Sequence, residues 1–139
     1  MSKTRIVLVD NNLIFLRMAA LYVAEIATAE VVGCAASGAE AVGMADTLKP
    51  DMIVIDLVMP GIDGIEAARQ IRTRGSNAFI VIATLSDIAA HRARADEAGV
   101  DAFISKARFA DEVGPMIANA AERCSGQAGS MRYDCACPA

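Results

Sequence analysis

Short unbroken apolar runs alternate along the chain with stretches in which apolar residues return every three or four positions. Arg5–Val9 (RIVLV), Glu30–Ala35 (EVVGCA), Met52–Ile55 (MIVI), Ala78–Ala83 (AFIVIA) and Ala102–Ile104 (AFI) are of the first kind. Such β-branched runs predict strands buried on both faces, as in a parallel sheet. Between them lie amphipathic segments. The first helix is expected from Leu13 to about Ala27, with Leu13, Leu16, Ala20, Leu21 and Ala24 on its apolar side. Ser37 and Glu40 form a capping box that opens the second, whose Ala41, Val42, Met44, Ala45 and Leu48 face inward before Pro50 stops it. The third spans Asp63–Arg74, with Ile65, Ala68 and Ile71 inward and Gly75 after it; the fourth spans Asp87–Ala98 and closes at Gly99. The last runs from about Asp111 to Arg123, with Pro115 in or near its first turn, where a missing N–H costs least. Five strands alternating with five helices predict an α/β, doubly wound parallel sheet with right-handed crossovers. Residues 1–124 form one domain on this pattern; from Ser125 the periodicity ends, and residues 125–139 read as a flexible tail or the start of a linker.

Composition narrows the function classes. A chain of 139 residues suits a single core, which with so few aromatics must be built from Val, Ile, Leu, Met and Ala. A net charge of −4 argues against direct binding to nucleic-acid backbones. No signal-peptide pattern or membrane-length apolar run is present, so a soluble, cytoplasmic protein is expected. Cys34, Cys124, Cys135 and Cys137 form no CxxC pair, and His91 is the only histidine, so free thiols with Cys34 buried are expected rather than a zinc site. His91 is read as solvent-facing, Arg69, Arg72 and Arg74 as the solvated face of a helix, and Met44 and Met52 as core filler.

In a doubly wound sheet the chemistry sits just beyond the carboxyl ends of the strands. Asp10 and Asn11 follow strand one, Asp56 follows strand three in VIDLVMPGIDG, Thr84 ends strand four in VIATLSD, and Lys106 ends strand five in AFISK. Each type serves phosphoryl transfer. A carboxylate can attack phosphorus, a hard divalent ion on oxygen ligands can offset the charge, and a lysine and a hydroxyl can hold the phosphoryl oxygens. Singly each is weak, since strand-end Asp and Asn are usually turn or cap residues; the ordered set is far more specific.

RIVLVDNN, VIDLVMPGIDG, VIATLSD and AFISK, in this order over residues 5 to 123, resemble the motifs of response-regulator receiver domains of two-component signalling, of the chemotaxis-regulator kind. The resemblance implies a flavodoxin-like (βα)₅ sheet of strand order 2-1-3-4-5. It also implies that Asp56 accepts a phosphoryl group from a histidine kinase or phosphotransfer protein with Mg²⁺ as cofactor. Asp10 is then an acid of the metal pocket, and Val58 gives a backbone carbonyl to the metal. Thr84 and Lys106 are the conserved hydroxyl and lysine, and Phe103 is the aromatic switch position. Pro60, Gly61 and Gly64 match the loop and helix start after the acceptor. The family's output surface is helix four, strand five and helix five.

Three positions depart from the family pattern. Asn11 replaces the second acid, Ala107 follows Lys106 where proline is common, leaving the usual cis peptide there in question, and Phe103 lacks the hydroxyl of the frequent tyrosine. Asparagine keeps an oxygen acceptor but removes a negative charge, so weaker Mg²⁺ binding and a less raised Asp56 pKa than in a three-acid pocket are expected. Asn11 or Asn12 could equally cap the first helix. The expected function is therefore a phospho-accepting switch, not an enzyme, which acts on a downstream protein target and is compatible with a homodimer. The alternative is a phosphorylation-independent pseudo-receiver. A haloacid-dehalogenase-type phosphatase is disfavoured by Val58, which stands where a second Asp is needed. A flavin binder is disfavoured by VDNNLI, which lacks a phosphate-cradling loop.

Overall fold

The computed structural model describes residues 3–85 and 88–130, with side chains described through 123. The strands are β1 (Thr4–Val9), β2 (Ala29–Ala35), β3 (Met52–Asp56), β4 (Phe79–Thr84) and β5 (Ala102–Ser105); the helices are α1 (Leu13–Ala24), α2 (Gly38–Leu48), α3 (Gly64–Thr73), α4 (Arg92–Ala98) and α5 (Phe109–Ser130). All strand pairs are parallel, in the order β2-β1-β3-β4-β5, the flavodoxin-like arrangement.

The apolar runs are explained by burial on both sides. In β1, Ile6 and Leu8 pack with the α1/α5 layer (Leu16, Ala19, Val23, Phe109, Val113, Ile117), while Val7 and Val9 pack with the α2/α3/α4 layer (Ala41, Ala45, Ile65, Ile71, Ala95). Every residue of β3 is buried. Local signals close the helices as expected. Ser37 Oγ accepts from the Glu40 N–H while Glu40 accepts from the Ala36 N–H, one residue upstream of the usual reciprocal bond. Asp63 caps α3, and Gly99 takes the left-handed conformation (φ 86°) after α4.

Several expectations are corrected. The buried face of α1 is Leu16, Ala19 and Val23, whereas Leu13 and Leu21 are each 65% exposed and Ala24 also faces solvent. The segment is apolar almost all round, so spacing cannot set its rotation; packing of Leu16, Ala19 and Val23 with Phe109 and Val113 does. Cys34 is exposed, because β2 is an edge strand and the residue lies beside the outer flank of α2. Arg72 is not a solvated residue. Half-buried, it donates to the carbonyls of Gly99, Ser76 and Ala78 and pairs with Asp101. His91 is half-buried at the end of a 3₁₀ turn, Ala89–His91, that precedes α4. Pro115 lies inside α5 rather than in its first turn, because the helix starts earlier, at the buried Phe109. No described peptide bond is cis, so Lys106–Ala107 is trans. Met52 is fully buried and Met44 packs at the core edge, as expected of fillers. The expected helix start at Asp87, and Cys135 and Cys137 of the tail, lie outside the described residues, as does the Cys124 side chain.

Candidate functional site

The parallel register sets the strand ends along one rim. Val9 pairs with Ile55, Asp56 with Ala83, and Thr84 with Ser105. Asp10, one step beyond β1, therefore lies level with Asp56 at the end of β3, and Lys106, one step beyond β5, reaches both, so three charged side chains meet at this rim. Lys106 Nζ lies 2.7 Å from Asp10 Oδ2 and 3.5 Å from Asp56 Oδ1. Asp10 is 1% exposed and Asp56 6%. Gly64, at the start of α3, lets that helix approach the acceptor strand, since a Cβ there would come within 2.3 Å of the Asp56 carbonyl oxygen.

The two carboxylates are held differently. Asp10 Oδ1 accepts from the Asn12 N–H at 2.8 Å, which ties it to the start of α1. Its Oδ2 is buried and is held by the Lys106 ammonium at 2.7 Å, with no other polar partner. Burial pushes the Asp56 carboxyl above its ordinary range and the nearby Asp10 charge adds to this; Lys106 and a backbone hydrogen bond from Val58 oppose it. Two buried acids thus share one ammonium, a charge balance that is not closed among the protein groups.

Asn12 is the α1 N-cap, accepting from the Ile14 and Phe15 N–H groups at 3.0 and 3.1 Å. Asn11 is exposed beside it and is not engaged as the cap. Among the described residues no cluster of three His, Cys, Asp or Glu is present, and Asp10 and Asp56 are the two carboxylates at this rim. Thr84 is buried at the end of β4. Val58 is 65% exposed in the loop after Asp56. Phe103 is half-buried on β5, with the Arg92 guanidinium 5.0 Å from its ring centroid. Asp10, Asp56 and Lys106 are thus in direct contact range, while Asn11, Val58 and Thr84 lie on loops and strand ends of the same rim.

Sequence reasoning missed Phe15, whose ring centroid is 4.6 Å from Lys106 Nζ, and Arg92 over Phe103. Phe15 stands in the first turn of α1, in a chain with few aromatics; that position was its available signal.

Two buried carboxylates facing one ammonium leave negative charge that suits a divalent cation between Asp10 and Asp56, with the Val58 carbonyl and the Asn11 amide oxygen adjacent in sequence as further oxygen ligands.

The sequence matches the model of the response regulator receiver domain over residues 6–117. It is 40% identical over 115 residues to a protein-glutamate methylesterase/protein-glutamine glutaminase of Alkalilimnicola ehrlichii, covering 82% of this chain and 29% of that protein. It is 39% identical over 90 residues to the response regulator protein VraR of Staphylococcus aureus, covering 63% of this chain and 42% of that one. Among solved structures, the response regulator domain of Thermotoga maritima CheB superposes with a TM-score of 0.77 at 29% identity, covering 86% of this chain and 97% of that one. The receiver domain of NarL from Mycobacterium tuberculosis shares the fold at a TM-score of 0.83 and 24% identity, with coverage of 88% and 98%. The chain spans less than half the length of both curated relatives. Matched over most of its length and sharing the family's strand order, the chain belongs to the response regulator receiver domains.

Proposed function

We propose that this receiver is a Mg²⁺-assisted phospho-acceptor that works as a signalling switch, with Asp56 as the acceptor. The observation that carries the reading is the rim itself: two buried carboxylates share a single lysine. Asp56 Oδ1 or Oδ2 attacks phosphorus, the bond from phosphorus to the donor's leaving group breaks, and the donor departs with its electron pair. Asp10 and Asp56, with the Asn11 amide oxygen and the Val58 carbonyl, would hold Mg²⁺, which would supply positive charge to the transferring group. Lys106 and the Thr84 hydroxyl stabilise the phosphoryl oxygens on the product carboxyl phosphate. Asn11 lowers the negative charge of the pocket, so the domain is expected to need more Mg²⁺ than one with a second acid there.

The donor is a histidine kinase or phosphotransfer protein. The surface around the rim supports a protein donor: Leu13, Ile14, Met18 and Leu21 of α1, with Val58 and Leu85 after β3 and β4, are large apolar side chains left exposed. Output is through α4, β5 and α5, where Phe103 repacks when the site fills, and a downstream protein reads the change. No catalytic output is assigned to the chain itself. No described helix is long and apolar enough to cross a membrane.

The test is to incubate the full chain with a small acyl phosphate and Mg²⁺ and to follow the mass gain of one phosphoryl group during a metal titration. An adduct that Asp56→Asn abolishes supports the reading. No adduct on the wild type, with a robust one on Asn11→Asp, would sink it in favour of a pseudo-receiver that binds its partner without phosphate. In that alternative Asp56→Asn leaves partner binding unchanged.

A further inference from the structure

We propose that Phe15 is a positioning residue for Lys106: its ring holds the ammonium over Asp10 and within reach of Asp56. The proposal rests on the phospho-acceptor reading of this rim and names a side chain which that reading does not use. Lys106 Nζ stands 4.6 Å from the Phe15 ring centroid, 2.7 Å from Asp10 Oδ2 and 3.5 Å from Asp56 Oδ1, so three groups surround it. Only 12% of the lysine side chain is exposed. A lysine has four rotatable bonds and a well-hydrated head, and two carboxylates alone leave it free to swing outward to water. The ring occupies one side of the ammonium, keeps water off it, and offers the negative face of its π system.

The ring is itself anchored. Phe15 meets Phe109 of α5 edge-on, at 5.5 Å between centroids and 82° between planes. Phe109 in turn meets Tyr22 at 6.3 Å and 75°, and the Tyr22 hydroxyl donates to the Ala110 carbonyl at 3.0 Å. This ladder joins α1 to the start of α5, directly after the turn that carries Lys106. Because Nζ already lies near both acids, a small rotation above the ring carries it from Asp10 toward a phosphoryl group on Asp56. Phe15 thus preorganises a charge that the transfer needs at a fixed place.

The test compares Phe15→Leu, which keeps an apolar side chain but removes the π face, with Phe15→Tyr, which keeps the ring. Phosphoryl uptake from a small acyl phosphate with Mg²⁺ should slow about fivefold in Phe15→Leu and stay near wild type in Phe15→Tyr. A second readout needs no donor. The chain's lysines are Lys3, Lys49 and Lys106, so ¹³C-lysine labelling, with Lys106→Arg as the assignment control, isolates the Lys106 ε-methylene. Its protons should be shifted upfield by the ring in wild type and in Phe15→Tyr, and return to the ordinary lysine position in Phe15→Leu. Equal uptake by all three proteins, equal slowing in Leu and Tyr, or no upfield signal in wild type would each overturn the proposal. If the wild type takes up no phosphoryl group, the phospho-acceptor reading fails, and the ring-shift measurement alone decides whether Phe15 places Lys106.

Discussion

The two ends of the sheet treat charge in opposite ways. At the end where β4 and β5 begin, Asp101 accepts from Arg72 at 2.6 Å, Arg123 at 2.8 Å and the Ile80 N–H at 2.8 Å. Arg72 also donates to three backbone carbonyls, so it clamps the α3–β4 connection to the end of α4. Two cations there face one acid, and the acid's oxygens are supplied with donors. At the opposite end two buried acids face one cation, and burial holds Asp56 above its ordinary range. The first arrangement is what a fold needs to lock a connection. The second is a poor way to stabilise a fold, and under the proposed function its excess negative charge is what an incoming cation would offset.

Breaking the clamp should have the largest effect. Arg72→Ala leaves Asp101 with one cation fewer and strips three carbonyls of a donor, and should cost about 3 kcal/mol of stability by urea titration. A loss under about 0.5 kcal/mol would show that the clamp is ornamental. At the rim, Asn11→Asp adds a third acid and should tighten Mg²⁺ binding on the order of tenfold, measured by calorimetry on unphosphorylated protein. Unchanged affinity would mean that position 11 does not touch the metal. Asn12→Ala removes the α1 cap and should cost about 1 kcal/mol, with little change in metal affinity, which separates the two asparagines.

The smallest expected effect is the pH dependence carried by Asp56. Its folded pKa is raised, so the folded state keeps a proton that the unfolded chain has already lost, and stability falls as pH rises from the unfolded pKa through the folded one. Asp56→Asn should therefore raise the melting midpoint by a few degrees at neutral pH in metal-free protein. The gain should disappear below the ordinary aspartate pKa. A midpoint that does not move, or a gain that persists in acid, contradicts the assigned burial cost.

Legibility differed by element for physical reasons. The strands could be read because burial on both faces forces continuous apolar runs, as Val7 and Leu8 pack into opposite layers. The helix starts could be read at Ser37 and Asp63 because a cap is a local hydrogen bond. The carboxylates could be found because a strand end in this topology is a fixed place. The rotation of α1 could not be read, since Leu13, Ile14, Met18 and Leu21 are as apolar as the buried Leu16, Ala19 and Val23. Nor could the exposure of Cys34, which depends on β2 lying at the sheet edge, or the role of Arg72, whose acceptors Gly99 and Asp101 lie more than twenty residues away.

The sequence by itself determined the five-unit α/β order, the rim on which Asp10, Asp56, Thr84 and Lys106 stand, and the uncharged amide at Asn11. These depend on periodicity, turn chemistry and residue type, all of which act over a few positions. Tertiary structure alone decided which asparagine caps α1, that Lys106 leans on Asp10 and lies beside Phe15, and which flank of α1 is left bare. Those outcomes depend on the packing of α1 against α5 and on the charge balance of a buried rim, quantities that exist only once distant segments have met.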